Sequence, residues 1–327
     1  MVTIWWGVLG LLLGGYFALA GYDYGVGMLL PALSRSGDEA GQRRVLGAVG
    51  PFFLANEVWL VAAVGVLFGA FPHLEGRVFA GAYVLVVLLL LGLVTFTAAV
   101  QLRSRHPEGN RRGWTFAIAA GALVTAVSWG LFLGNLVRGL PLDAQGRPVD
   151  DVLALFNPYA ALWGLGFVAL FCLQGLVFLA VRGPVEIAGR VRRLTRSFLA
   201  PVGVFLVAAT VWGAFSGGSL AALVVVAIAF AAYLTILFGL NRPRLALPAA
   251  MLLSACPALL VGVLRFPVVL SSTTGYHLTV GQAATTPDMA AVIGWFAAPA
   301  LLVLVVVQWL TWRAHRRPVD EKSLLHF

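Results

Sequence analysis

Long runs without charge dominate the pattern of hydrophobic and polar positions along this chain. Because a membrane-spanning helix needs about 20 apolar residues to cross the hydrocarbon core, these runs indicate helices that cross a bilayer. Seven of them contain no Asp, Glu, Lys or Arg, and two more contain a single acid each. The nine predicted spans cover residues 2–33, 51–71, 78–102, 114–137, 152–181, 197–215, 219–241, 245–264 and 289–312.

The spans predict an all-α polytopic membrane protein, with one integral membrane domain over residues 1–327. Strands of a β-barrel would alternate in polarity over about ten residues, whereas residues 83–94 are apolar at every position. We expect two four-helix bundles plus one additional helix. The composition agrees, since 61% of the residues are hydrophobic, 11% are charged and the mean hydropathy is +0.94.

The placement of the basic residues predicts the topology. A net charge of +9 would suit a nucleic-acid partner, but the Lys and Arg residues concentrate in alternate connections and in the C-terminal tail. The exceptions are Arg77, Arg138, Arg147 and Arg265. The positive-inside rule therefore predicts that the N-terminus lies outside, that residues 313–327 form a cytoplasmic tail, and that no nucleic acid is bound.

Two acids lie within the predicted spans, Asp23 in the first and Glu57 in the second. Charged groups at such depth are costly and commonly functional, so both are candidates for a proton path. Each also has a structural interpretation. Asp23 could be a boundary acid near the cytoplasmic interface, and Glu57 could lie in the first turn of a helix that Pro51 opens, where the helix dipole would stabilise it.

Three further residues within the spans are candidates for polar contacts. Asn56 and Trp59 lie beside Glu57, and Gln174 is a polar exception in the fifth span. They are candidates for interhelical hydrogen bonds or for contact with a quinone headgroup. All histidines fall in loops or the tail, and the sequence contains no metal cluster, catalytic triad or nucleotide-binding motif. We therefore expect no catalytic set in this chain, and no haem or metal ligated by it.

Several motifs resemble the smaller, haem-free subunit of cytochrome bd-type quinol oxidases. Residues 21–29, Gly-Tyr-Asp-Tyr-Gly-Val-Gly-Met-Leu, are similar to the family's first-helix signature. Residues 56–60, Asn-Glu-Val-Trp-Leu, resemble the second. Asn157-Pro158-Tyr159 and the outer-loop residues 266–280 match later patterns. The resemblance runs from the first span to the last.

The resemblance implies a subunit of a heterodimer in a bacterial or archaeal cell membrane. A larger partner would carry the haems and oxidise quinol, while this chain would pack beside it and help to supply protons for the reduction of dioxygen to water. It also implies lipid contacts, a quinone bound in some members, and small single-helix accessory subunits in some complexes.

The departures from the family pattern bear on the proton path. The family usually has acids at the positions of Ala20, Leu54 and Gln101, and an arginine at that of Phe96. Neither alanine nor leucine can hold a proton, so the usual route does not carry over unchanged.

Three hypotheses remain at this point. The first is an oxidase subunit in which Asp23 and Glu57 take part in the transfer of protons. The second is a scaffold or quinone-binding subunit of a divergent bd-like complex without this proton route. The third is a stand-alone transporter of small solutes.

Overall fold

A computed structural model describes residues 1–33, 39–105, 111–149, 151–214 and 219–315. The α-helices are α1 (Val2–Leu33), α2 (Glu39–Ala70), α3 (Pro72–Gly81), α4 (Tyr83–Arg105), α5 (Arg111–Arg138), α6 (Pro158–Arg182), α7 (Ala188–Ala214), α8 (Leu220–Phe238), α9 (Pro243–Val263), α10 (Val280–Ala283) and α11 (Pro287–Ala314). Two 3-10 turns cover Val152–Phe156 and Val185–Ile187, and the strands β1 (Val268–Ser271) and β2 (His277–Thr279) form an antiparallel hairpin.

Within these described ranges, nine helices are long and apolar enough to cross a membrane, which confirms the predicted number. The helix contacts agree with two groups of four. Helices α1, α2, α4 and α5 form one group, α6 to α9 form the other, and α11 packs against α2. The groups meet mainly where α1 and α5 contact α6 and where α1 contacts α9.

Several helices start or end at residues other than the predicted span boundaries. Helix α2 starts at Glu39 rather than at residue 51, so Pro51 lies inside a continuous helix and Glu57 is far from its first turn. The predicted span 78–102 is divided at Ala82, since residues before it belong to α3 and α4 begins at Tyr83. Helix α7 starts at Ala188, nine residues before the predicted span 197–215. Hydropathy detects the lipid-facing part of a helix and overlooks turns that extend beyond the hydrocarbon.

The fifth span is also shorter than predicted. Residues 152–156 form a 3-10 turn, and Asn157 caps α6 by accepting a hydrogen bond from the Ala160 backbone N–H at 2.9 Å. Pro158 follows at the first helical position, where a missing N–H costs nothing. The capping side chain and the proline explain why the helix starts here rather than at residue 152.

Glycines let α1 approach its neighbours closely. A Cβ atom on Gly25 would overlap the Phe171 carbonyl oxygen of α6, and one on Gly175 would lie 2.7 Å from the Val26 backbone nitrogen. One on Gly27 would lie 2.6 Å from Phe96 of α4. Small residues commonly allow such helix contacts in membranes. The segment that carries Asp23 is therefore enclosed by two helices.

Candidate functional site

Asp23 lies on α1 with 0% of its surface exposed. Its Oδ2 atom accepts a hydrogen bond of 2.8 Å from Asn56 Nδ2 on α2, while Oδ1 has no hydrogen-bond partner in the structure. Neither Asp23 nor Glu57 forms an ion pair with any residue that the structure describes. Asp23 is thus a deeply buried carboxyl group with one bonded oxygen and one oxygen that has no partner among the described residues.

Asn56 is the centre of this polar cluster. Besides Asp23, its amide nitrogen lies 2.8 Å from the Tyr22 hydroxyl and 3.1 Å from the Leu19 carbonyl oxygen, so three acceptors surround two N–H hydrogens. The Asn56 Oδ1 atom accepts a hydrogen bond of 3.0 Å from Gln308 of α11. Trp59 then donates its indole N–H to Gln308 at 3.3 Å. The cluster links α1, α2 and α11.

Glu57 belongs to a second hydrogen-bonded chain. Its Oε1 atom accepts a hydrogen bond of 2.6 Å from the Tyr24 hydroxyl, which lies 2.7 Å from the Tyr16 hydroxyl. Both tyrosines are fully buried on α1. Glu57 itself is partly exposed, on the side of α2 where Leu54 and Val58 are exposed. The two acids thus belong to separate hydrogen-bonded networks, both formed between α1 and α2.

Gln174 lies apart from both networks. Its amide nitrogen donates to the Ala18 carbonyl oxygen on α1 at 2.7 Å, and its amide oxygen accepts a hydrogen bond of 2.7 Å from Ser254 on α9. Both ends of the side chain therefore make interhelical hydrogen bonds between α6, α1 and α9.

Sequence reasoning did not select Gln308, Tyr16 and Tyr24 as site residues. Gln308 had a usable signal, because it is an isolated amide in the apolar run that became α11. The tyrosines carried a weaker signal, since a tyrosine in a membrane helix is commonly a packing or interfacial residue. Their roles depend on contacts between helices.

The positions that depart from the family pattern occupy different environments. Ala20 is fully buried on α1, whereas Leu54 is 60% exposed on the outer face of α2. The buried Phe96 ring packs at 5.1 Å from the Tyr24 ring and 5.4 Å from the Phe53 ring. Gln101 is partly buried near the end of α4 and makes no hydrogen bond to a described residue. An aromatic cluster thus fills the position where the family usually has an arginine.

An apolar cavity of about 380 Å³ lies between α1, α2, α4 and α5. Leu13, Leu60, Ala63, Leu89 and Leu133 contribute to its lining, together with Trp129. A second groove of about 530 Å³ runs between α1, α9 and α11, over Gly14, Gly15 and Ala18. Across the described ranges, no three His, Cys, Asp or Glu side chains are grouped as metal ligands would be.

Residues 1–315 match the cytochrome bd terminal oxidase subunit II family. Cytochrome bd ubiquinol oxidase subunit 2 of Bacillus subtilis is 30% identical over 255 residues, which cover 77% of this chain and 69% of that protein. Cytochrome bd-I ubiquinol oxidase subunit 2 of Escherichia coli is 33% identical over 199 residues, 58% of this chain and 51% of that protein. The bd oxidase structure from Geobacillus thermodenitrificans has a similar fold, with a TM-score of 0.72 at 19% identity, over 96% of this chain and 98% of that one.

Proposed function

The chain belongs to the cytochrome bd terminal oxidase subunit II family, and we propose that it is the haem-free subunit of a complex that oxidises quinol and reduces dioxygen to water. The match over residues 1–315 to this family supports this role. We propose that the larger partner subunit carries the haems, as the resemblance to the family implies. Family membership leaves the stand-alone transporter without support.

The surroundings of Glu57 support a partner on one face of α2. Leu54, Glu57, Val58 and Val61 follow helical spacing along this face, and the three apolar side chains are 60%, 47% and 68% exposed. A partly exposed carboxyl group would be costly against lipid, by about 2.5–3.5 kcal/mol on insertion scales. We infer that the haem-bearing subunit covers this face and receives Glu57 at the interface.

The two intramembrane carboxyl groups carry the proposal of proton delivery. In each, one oxygen is hydrogen-bonded within the protein, and the structure gives the other no hydrogen bond to a described residue. Such a carboxyl group is held in place by one oxygen and can take up or release a proton at the other. Asp23 would serve inside this subunit, and Glu57 would serve at the boundary with the haem-bearing subunit.

We propose that the complex lies in a bacterial or archaeal cell membrane. We propose that the N-terminus is outside and the basic side is cytoplasmic, as the positive-inside rule requires. The contacts between connections support the alternation. Leu140 pairs with Ser272 on the side of the N-terminus, whereas Arg44 forms an ion pair with Glu186 on the opposite side at 3.1 Å.

The cavity between α1, α2, α4 and α5 is the proposed place for a quinone. Its apolar lining suits an isoprenoid tail, because ligand pockets of about 300–1,000 Å³ are common and mostly apolar. A quinone held there would stabilise the gap between helices, whereas quinol oxidation belongs to the partner. The groove over Gly14, Gly15 and Ala18 would admit lipid or a single-helix accessory subunit, since small residues allow a helix to approach closely.

Purification through a tag on this chain tests the complex, and two substitutions test the proton role. We expect a haem protein to co-purify. Asp23→Asn and Glu57→Gln should each lower quinol-dependent oxygen uptake by about 10²-fold or more at unchanged haem content, the effect expected when a proton-transfer group is lost. A colourless preparation would contradict the oxidase assignment. Undiminished turnover in both variants would contradict the proton role alone.

The departures from the family pattern favour a second candidate function, a scaffold or quinone-binding subunit without this proton route. Ala20, Leu54, Gln101 and Phe96 replace three acids and an arginine, so most of the charged groups of the family's route are absent. In this case both variants would keep full oxygen uptake, while Ala63→Phe, which inserts a ring into the cavity, would lower the quinone content of the purified complex.

A further inference from the structure

The hydroxyl groups of Tyr16 and Tyr24 form a hydrogen-bonded chain that ends at the carboxyl group of Glu57. The Tyr24 hydroxyl is 2.6 Å from Glu57 Oε1 and 2.7 Å from the Tyr16 hydroxyl. A phenol has one hydrogen to donate. When Tyr24 donates its hydrogen to Glu57, Tyr16 must donate to Tyr24, and the chain has a single direction, from Tyr16 through Tyr24 to Glu57.

The rings of this chain are fixed by packing. Tyr24 contacts Phe96 at 5.1 Å and Phe171 at 5.9 Å between ring centroids, and Tyr16 contacts Trp129 at 5.7 Å. Both tyrosines have 0% exposed surface. Because Tyr24 packs against Phe96 from α4 and Phe171 from α6, its hydroxyl cannot swing away from Glu57 without displacing these rings. The donor is therefore set before any proton reaches the carboxyl group.

Glu57 has no comparable support from other groups. The structure gives it no ion pair with a described residue and no second hydrogen bond, and its own side of α2 carries exposed apolar residues. Tyr24 is thus the described group that determines which oxygen of Glu57 faces the protein interior and which one faces outward. A hydrogen bond to an ionised group is stronger than one between neutral groups, so Tyr24 would stabilise the carboxylate that remains after a proton leaves.

We propose that Tyr24 is a positioning residue for Glu57 and that Tyr16 strengthens it by orienting the Tyr24 hydroxyl. This inference rests on the proposed proton role of Glu57 and extends it to two residues of α1. The Tyr24 hydroxyl holds Oε1, which leaves Oε2 directed to the face that the haem-bearing subunit covers. The proton is exchanged at Oε2, and the phenol hydrogens stay on their tyrosines.

The test compares single hydroxyl deletions in the purified complex. Tyr24→Phe keeps the ring and removes the donor to Glu57, so kcat for quinol-dependent oxygen uptake should fall about tenfold, the rate equivalent of one hydrogen bond to a carboxyl group. Tyr16→Phe should reduce kcat about twofold at most, because a neighbouring bond strengthens a chain by roughly 10–30%. Tyr233→Phe is the matched control, since it removes a hydroxyl that donates to the Leu199 carbonyl oxygen on other helices.

An infrared measurement separates positioning from general stability. The carboxyl bands of Glu57 are obtained by subtracting the spectrum of Glu57→Gln from that of the parent complex, and the same subtraction is then made in the Tyr24→Phe and Tyr233→Phe backgrounds. Only assembled complex, selected by its haem absorbance, is measured. The Glu57 bands should shift in Tyr24→Phe and remain in place in Tyr233→Phe.

The outcomes are distinct. Identical Glu57 bands with and without the Tyr24 hydroxyl would overturn the proposal, whatever happens to turnover. A loss in Tyr16→Phe as large as that in Tyr24→Phe would overturn the assigned direction of the chain. If Glu57→Gln alone leaves turnover unchanged, the proton role of Glu57 fails, while the infrared shift still decides whether Tyr24 positions the carboxyl group.

Discussion

Asn56→Leu should destabilise the complex strongly, because Asn56 connects three helices through buried hydrogen bonds. Leucine keeps the branching of asparagine and its number of side-chain heavy atoms, so the substitution mainly removes polarity. The substitution removes the N–H group that donates to Asp23 Oδ2 and to the Tyr22 hydroxyl, and it removes the oxygen that accepts a hydrogen bond from Gln308 Nε2. Asp23 would then have no hydrogen bond on either oxygen, since Oδ1 already has none.

The expected loss in the free energy of unfolding follows from the number of side chains that lose a hydrogen bond to Asn56. Three buried side chains lose a partner, at about 1–3 kcal/mol each in proteins generally or about 0.6 kcal/mol each on the average measured within a membrane. The sum is a loss of about 2–9 kcal/mol in the free energy of unfolding, with the larger values expected because one partner is a carboxyl group. At about 1.5 °C per kcal/mol for a chain of 327 residues, Tm should fall by about 3 °C or more.

Thermal denaturation of the purified complex, followed by circular dichroism, measures this change. Gln101→Leu is the matched control, because Gln101 is an amide on a membrane helix that makes no hydrogen bond to a described residue. Its Tm should stay within about 1 °C of the parent, as expected where no buried partner is lost. If Asn56→Leu has the same Tm as Gln101→Leu, the hydrogen bonds of Asn56 do not contribute as the geometry implies.

Two further predictions concern packing. Gly25→Val should prevent assembly of α1 against α6, because even a Cβ atom there overlaps the Phe171 carbonyl oxygen, whereas the control Gly76→Ala should assemble normally, since nothing lies within 4 Å of a Cβ at that position. Co-purification of the haem-bearing subunit measures assembly in both variants. Normal assembly of Gly25→Val would contradict the close contact. Ala63→Phe should displace a quinone from the cavity between α1, α2, α4 and α5, while the control Ala221→Phe, on the exposed side of α8, should leave the quinone content unchanged. Extraction and chromatography of bound quinone measure the quinone content of each variant. Equal contents in the two variants would mean that the quinone binds elsewhere.

The candidate site was predictable in part. Asp23 and Glu57 could be selected without a structure, because an acid inside a long apolar run stands out against its surroundings. The interpretation of Glu57 as a first-turn acid was wrong, since the helix continues through Pro51 to Glu39 and Pro51 does not mark its start. Prolines are tolerated within membrane helices when neighbouring groups compensate for the lost hydrogen bond. A proline alone is therefore a weak signal for a helix start in such a chain.

The sequence by itself determined the number of spans and the presence of two acids among them. These properties are local: each run of residues reports how apolar its own surroundings must be, and each connection reports its charge. The partners of the acids are not local. Asp23 meets Asn56 across 33 positions of the chain, and Asn56 meets Gln308 across 252. Only the packing of α1, α2 and α11 decided those pairs, because hydropathy is nearly the same on all sides of these helices and cannot indicate which sides meet.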